Sequence, residues 1–303
     1  MTSSVSAQFA PRRRYVLATL LAGAFALLPA MLMPPAAGAA ISPRRALADL
    51  NAMRARSGIP PVRRFSRKLN RGCRQHNRYM GSTGEFGHFQ RRTSVYYTRA
   101  GARAAAASVI SQPGALPSAA WGDTLYHRLA LLQPRLRASG YNASNGYACL
   151  QVLRGISRSK RARARQPALY AWPPTGSTGH GPVFDANEFP DPLADAPGAA
   201  QLGTPITFSP NGPWKDWQRV RSSVAAANVV SDAGVAVPVS VSDMSSAHAA
   251  YLQGGFALLP RNRLDNDTWY TATATGTLKY NGRSWRFTSA TRFQTGTDDL
   301  ERW

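Results

Sequence analysis

The sequence predicts an α/β protein, a layered α/β sandwich followed by an all-β sandwich. Three observations predict it. Helical periodicity dominates residues 43–155 and ends in a strand-like run. Residues 168–298 are rich in Pro, Gly, Thr and aromatic residues in short alternating runs. Between them, 156–167 carries a dense run of arginines with no apolar stripe. Like charges repel, so this junction is expected to be a solvated linker, with a polyanion-docking patch or a protease-sensitive site as its alternatives.

The N-terminus reads as an export signal. Arg12, Arg13 and Arg14 precede an apolar run over 15–33, and Ala37-Gly38-Ala39 offers a small-residue cleavage site. A transmembrane anchor is the alternative, because the run is nearly long enough to span a bilayer. The arginines also admit twin-arginine export, although the residues after them fit that motif loosely. No cysteine lies near the cleavage site, which speaks against a lipoprotein. Cleavage after 39 leaves 264 residues, enough for one large or two modest domains. No later segment is long and apolar enough to cross a membrane, so the mature chain is expected outside the cytoplasm.

The formal charge is +22, nearly all of it arginine, since lysine occurs only at Lys68, Lys160, Lys215 and Lys279. Such a charge attracts polyanions; the plainer account is a genome that favours arginine codons. Cys73 and Cys149 are the only cysteines. In an exported chain an even count reads as a disulfide, with two buried thiols as the alternative.

Residues 44–57 form a helix on the spacing of Leu47, Leu50 and Met53, stopped by Gly58 and Pro60. Ser66 can cap a second helix whose buried stripe is Leu69, Cys73, His76 and Met80. Ser118 can cap a third, through Trp121 and on to Leu129. GYACLQVLR at 146–154 alternates as a strand, with Tyr147, Cys149 and Gln151 on one face and Ala148, Leu150 and Val152 on the other. In the second half, strands are expected at 168–172, 205–209, 235–241, 270–275 and 285–288. Asn281-Gly282 between the runs 278–280 and 284–287 signals a type I′ hairpin.

Three segments carry a family resemblance: LNAMRARSGIPPV at 50–62, QHNRYM at 75–80 with GEFGH at 84–88, and LYHRLALLQPRLRASGY at 125–141. They are similar, in order and spacing, to the CAP superfamily of cysteine-rich secretory proteins, antigen 5 and pathogenesis-related 1 proteins, in its bacterial SCP-like extracellular branch. The resemblance covers 43–155 and implies an α-β-α sandwich. PPTG at 173–176, EFPDPL at 188–193, FALLP at 256–260 and TWY at 268–270 resemble the immunoglobulin-like module often fused to that branch.

The resemblance implies a cleft with two histidines, His88 and His127, and usually two acids. One family carboxylate falls at Ser108 in the stretch ASVI (107–110), so it is missing here. Glu85, three residues before His88, can approach the cleft. Asp123 is expected to share a helix face with His127, four residues on. Either acid can orient a histidine. A divalent metal such as zinc needs at least three protein ligands, which His88, His127 and one acid barely supply. Hydrolysis by a histidine base lacks a Gly-x-Ser-x-Gly nucleophile motif, and a Cys73–His76 pair is spent if Cys73 is bridged. His76 is expected in the core, His180 and His248 on the surface, and Trp121, Tyr126 and Trp172 in packing. Trp214 and Trp217 form the one exposed aromatic pair expected to stack on a glycan.

The favoured function is non-catalytic binding of a lipid, glycan or protein in the envelope or outside the cell. The alternatives are a metal-dependent hydrolase acting on envelope polymer or peptide, and a polyanion binder working through the Arg-rich stretch.

Overall fold

The computed structural model describes residues 41–160 and 163–297. The export-signal reading of 1–39 lies outside the described residues. No helix among them is long and apolar enough to cross a membrane.

The first half is built around a short three-stranded antiparallel sheet, β2 (Ser108–Ser111), β5 (Tyr147–Gln151) and β4 (Tyr141–Ser144), in that order. The alternation expected over 146–154 sorts its two faces. Ala148, Leu150 and Val152 join a core with Ala46, Leu50 and Met53 of α1 (Pro43–Arg56) and with Trp121. Tyr147 and Cys149 pack with Cys73, Tyr79 and Met80 of α2 (Arg67–Thr83). The sheet therefore lies between helices, each presenting one apolar stripe to it. A disulfide joins Cys73 to Cys149 across the α2 face, with Cα atoms 5.3 Å apart. It closes a loop of sequence separation 76, worth about 4 kcal/mol in the chain-entropy account. It also removes the Cys73 thiol from any pairing with His76.

The α1 helix is capped by Ser42, whose hydroxyl accepts from Arg45 N–H at 3.2 Å. α3 (Arg99–Ala105) leads into β2, and two parallel two-residue strands, β1 (Arg64–Phe65) and β3 (Ala138–Ser139), close the bottom of this half. The third helix expected from Ser118 is instead two short ones, α4 (Pro117–Trp121) and α5 (Tyr126–Leu131). Ser118 sits inside α4 and donates its hydroxyl to Asp49 at 2.6 Å; Pro117, whose missing N–H costs nothing in a first turn, opens the helix. Asp123 falls in the break between them, so it does not share a helix face with His127.

The second half holds two four-stranded sheets. One orders β10 (Val239–Ser242), β11 (Phe256–Pro260), β8 (Ile206–Asn211) and β6 (Ala168–Trp172); the other orders β7 (Ser177–His180), β13 (Arg283–Thr295), β12 (Trp269–Tyr280) and β9 (Arg221–Ser231). Phe208, Phe256 and Leu258 from the first meet Val229, Tyr270, Ala272 and Phe293 from the second in one core. The Asn281-Gly282 turn joins β12 to β13 with both residues at positive φ, as the hairpin signal requires. β9 and β11 were not legible. β9 is rich in Ala and Ser and lies half-exposed, and β11 is a continuous apolar run that period-two reasoning does not mark. The strand expected at 235–241 pairs with β11 only from Val239.

The described parts of both halves belong to one compact unit. Arg158, Ser159, Lys160 and Arg165 of the Arg-rich stretch are exposed, but its first residues are pinned. Ile156 bridges Leu136, and the Ser157 carbonyl accepts from the Arg135 guanidinium at 2.7 and 3.0 Å. Arg135 also donates to the carbonyls of Trp214 and Lys215, so one buried side chain links the halves. Trp214 is 1% exposed. Gly212 fits under its ring, and the expected exposed pair with Trp217 is not formed. Gly176, Gly84 and the other turn glycines add nothing to the site.

Candidate functional site

His88 follows α2 on a loop and His127 lies in α5, elements that the shared sheet and core hold together. His88 Nδ1 is 3.1 Å from the Ala105 carbonyl at the end of α3. That oxygen can only accept, so Nδ1 carries the proton and Nε2 is left as an acceptor. Burial pushes the His88 imidazole below its ordinary range, the Ala105 carbonyl opposes this, and the charge of His127 adds to it. His88 is nonetheless exposed to solvent, although the surrounding protein partly desolvates it.

Behind them sits His76, fully buried on α2 as its stripe predicts. Its Nδ1 is 3.4 Å from Gln90 Nε2. Desolvation lowers its pKa to about 4, against the Gly87 backbone, with His88 lowering it further. His76 and His88 are thus both held toward the neutral form.

The acids proposed for His88 and His127 go elsewhere. Glu85 accepts from the Tyr79 hydroxyl and pairs with Arg91 at 2.6 Å, so it braces the loop that carries His88. Asp123 lines a different cleft of about 1160 Å³ between the halves, along with Arg128, Asp185, Thr204 and Gln294. Its edge is exposed, yet the cleft walls desolvate it and raise its pKa; Arg128 opposes the rise and Asp185 adds to it. Ser108 is engaged elsewhere: it donates to the Ala104 carbonyl at 2.6 Å and lies 3.2 Å from Cys149 Sγ. Among the described residues, no three His, Cys, Asp or Glu side chains gather as a metal site.

The carboxylate that meets His127 is Glu188, from the second half. Its side chain is 1% exposed, and Oε2 lies 2.9 Å from His127 Nδ1. That contact lacks hydrogen-bond geometry. Glu188 accepts instead from the backbone N–H groups of Leu125, Tyr126 and His127. α5 has no side-chain cap of its own, and an acid at a helix start is favoured by the free N–H groups there. Sequence reasoning placed Glu188 in a turn motif only. Nothing local marks it, because its partners lie 61 to 63 residues away.

Two further histidines correct the surface expectation. His180 is 6% exposed, bonded to Ser177 at 2.7 Å and set edge-on to Trp172 and Phe293. Desolvation, then Arg128 and Arg56, bring its pKa to about 4. His248 is half-buried, edge-on to Tyr126 and 3.7 Å from the buried Asp195, to which Tyr126 donates at 2.8 Å.

The helix-sheet-helix order and the bridged cysteines agree with a comparison against known families. Residues 47–152 match the family model of CAP, the cysteine-rich secretory protein family. The CAP segment ends with β5 and excludes the two four-stranded sheets. No curated protein matches the chain.

Proposed function

We propose that this chain is an exported binding protein of the bacterial SCP-like branch, with an immunoglobulin-like second domain after residue 167, that holds a lipid, glycan or protein ligand at His88 and His127 without turning it over. The observation that carries this reading is the fate of the acids. A histidine base that works with a protein acid or nucleophile needs that partner free to face the substrate. Glu85 is engaged by Tyr79 and Arg91, Ser108 by the Ala104 carbonyl, and Glu188 by the start of α5. A neutral His88 with Nδ1 occupied offers its other nitrogen to a ligand donor, which is recognition chemistry.

The test compares the full mature chain with His88→Ala and His127→Ala on lipid-vesicle and glycan-array panels, and on peptide and peptidoglycan turnover. Binding that both variants lose, with no turnover by any of the three proteins, is the expected result. Turnover lost in both variants, together with stoichiometric bound metal in the parent, would replace this reading with the metal-dependent hydrolase.

A further inference from the structure

α2 carries Arg67, Lys68, Arg71, Arg74 and Arg78, all exposed, and no acidic residue. Arg67, Arg71, Arg74 and Arg78 recur at i, i+4, i+7 and i+11, which is one helix face. Local stability does not explain them. Like charges at i,i+4 destabilise a helix by about 0.2–0.5 kcal/mol per pair, and Arg67 and Lys68 sit at the helix start, where cations are disfavoured. The Ser66 side chain makes no cap bond to offset this. Arg78 lies over the Tyr96 ring at 5.7 Å. Among the described residues, Arg67, Arg71 and Arg74 make no ion pair.

These three arginines line a groove of about 430 Å³ with Asn70, Asn142, Tyr141 and Pro43. The two asparagines present donors rather than acceptors. Asn70 Oδ1 already accepts from Tyr141 N–H at 2.9 Å, and Asn142 Oδ1 from Asn77 Nδ2 at 3.1 Å and the Ser144 hydroxyl at 2.6 Å. Their Nδ2 groups make no protein hydrogen bond among the described residues. The groove is thus walled by three guanidinium groups and two amide donors, with no carboxylate. Tyr141 is 0% exposed and its hydroxyl is given to the Ala115 carbonyl, so it offers no stacking face.

We infer that the α2 groove binds an acidic polysaccharide, with Arg67, Arg71 and Arg74 on its carboxylates or sulfates and Asn70 and Asn142 on its hydroxyl or acid oxygens. Arginine forks match such oxyanions in pairs. The three span about 10 Å of helix, a length suited to successive groups along one chain. Single-stranded nucleic acid is the less fitting partner, because sites for it add aromatic platforms to a basic groove.

The test titrates labelled heparin octasaccharide into the full mature chain by fluorescence anisotropy at several salt concentrations. A triple variant, Arg67→Ser with Arg71→Ser and Arg74→Ser, is compared with Arg154→Ser, Arg158→Ser and Arg165→Ser, which removes equal charge from the exposed junction. The groove variant is expected to lose about tenfold or more in affinity, and its slope of log K against log salt to fall by about two to three, if each arginine meets one anionic group. The junction variant is expected to lose less than about threefold. Equal losses in both variants, no loss in the groove variant, or tighter binding of a short DNA duplex or single strand than of the oligosaccharide would overturn the assignment. Circular dichroism of each variant establishes that the fold is intact.

Discussion

Three buried arginines tie separate segments together by donating to main-chain carbonyls. Arg54 donates to the carbonyls of Pro60, Leu131, Gln133 and Leu136, Arg128 to those of Gly122 and Pro205, and Arg135 to those of Ser157, Trp214 and Lys215. Desolvation lowers the pKa of Arg54 to about 9 and that of Arg128 to about 10, and both remain charged at neutral pH. Each guanidinium satisfies loop carbonyls that have no strand or helix partner. The buried histidines set the acid limit. His76 and His180 each fall from 6.5 to about 4. Between those values the unfolded chain binds protons at these positions and the folded chain does not, so stability declines as pH drops through that window and recovers as it rises. Each contributes on the order of 3 kcal/mol at the full shift. Urea midpoints measured from pH 7 to pH 5 should fall steadily, and the slope should flatten in a His76→Gln, His180→Gln double variant. An unchanged slope would mean that these rings are not held neutral.

Among elements, the β12–β13 hairpin tests how far turn chemistry fixes register. Its strands pair without a break from Trp269–Gln294 to Tyr280–Arg283, and Gly282 adopts φ +76° with nothing within 4 Å of a built Cβ. A Gly282→Ala change therefore adds strain and no clash, and should cost about 1 kcal/mol in thermal or urea melts while the far-UV spectrum stays the same. A loss several times larger would show that this turn bears tertiary load. This hairpin was legible because Asn-Gly needs no distant contact to declare itself. α2 was legible for the same kind of reason, since its stripe of Leu69, Cys73, His76 and Met80 is a local period. The α4–α5 break was not: Trp121 and Leu125 to Leu129 read as one helix, whereas residues 122–125 leave the helix and Glu188, distant in sequence, meets the N–H groups at the start of α5.

On the scale of the whole molecule the two halves share a core. Leu125, Tyr126 and Leu129 pack with Phe184, Leu202, Leu252, Ala257 and Leu259 from the second half. Glu188, Asp195 and Arg135 add buried polar links across the same boundary. The described chain should therefore unfold in one transition, with tryptophan fluorescence and far-UV dichroism coincident. Glu188→Ala should lower stability by about 2 kcal/mol or more, since it strips a cap and leaves buried N–H groups unpaired. Two separated transitions, or a Glu188→Ala variant as stable as the parent, would show that the halves stand independently.

By itself the sequence determined what repeats over short distances: the helical stripes, the alternating strand that offers Cys149 to Cys73, and the Asn-Gly turn. Those patterns arise from backbone periodicity and turn sterics, which a dozen residues suffice to express. Only the tertiary structure decided which charges meet. It gave Glu85 to Tyr79 and Arg91, set Asp123 in a separate cleft and brought Glu188 against His127, because a carboxylate's partner is chosen by burial and by unpaired N–H groups wherever the fold places them, and chain order carries no record of that choice.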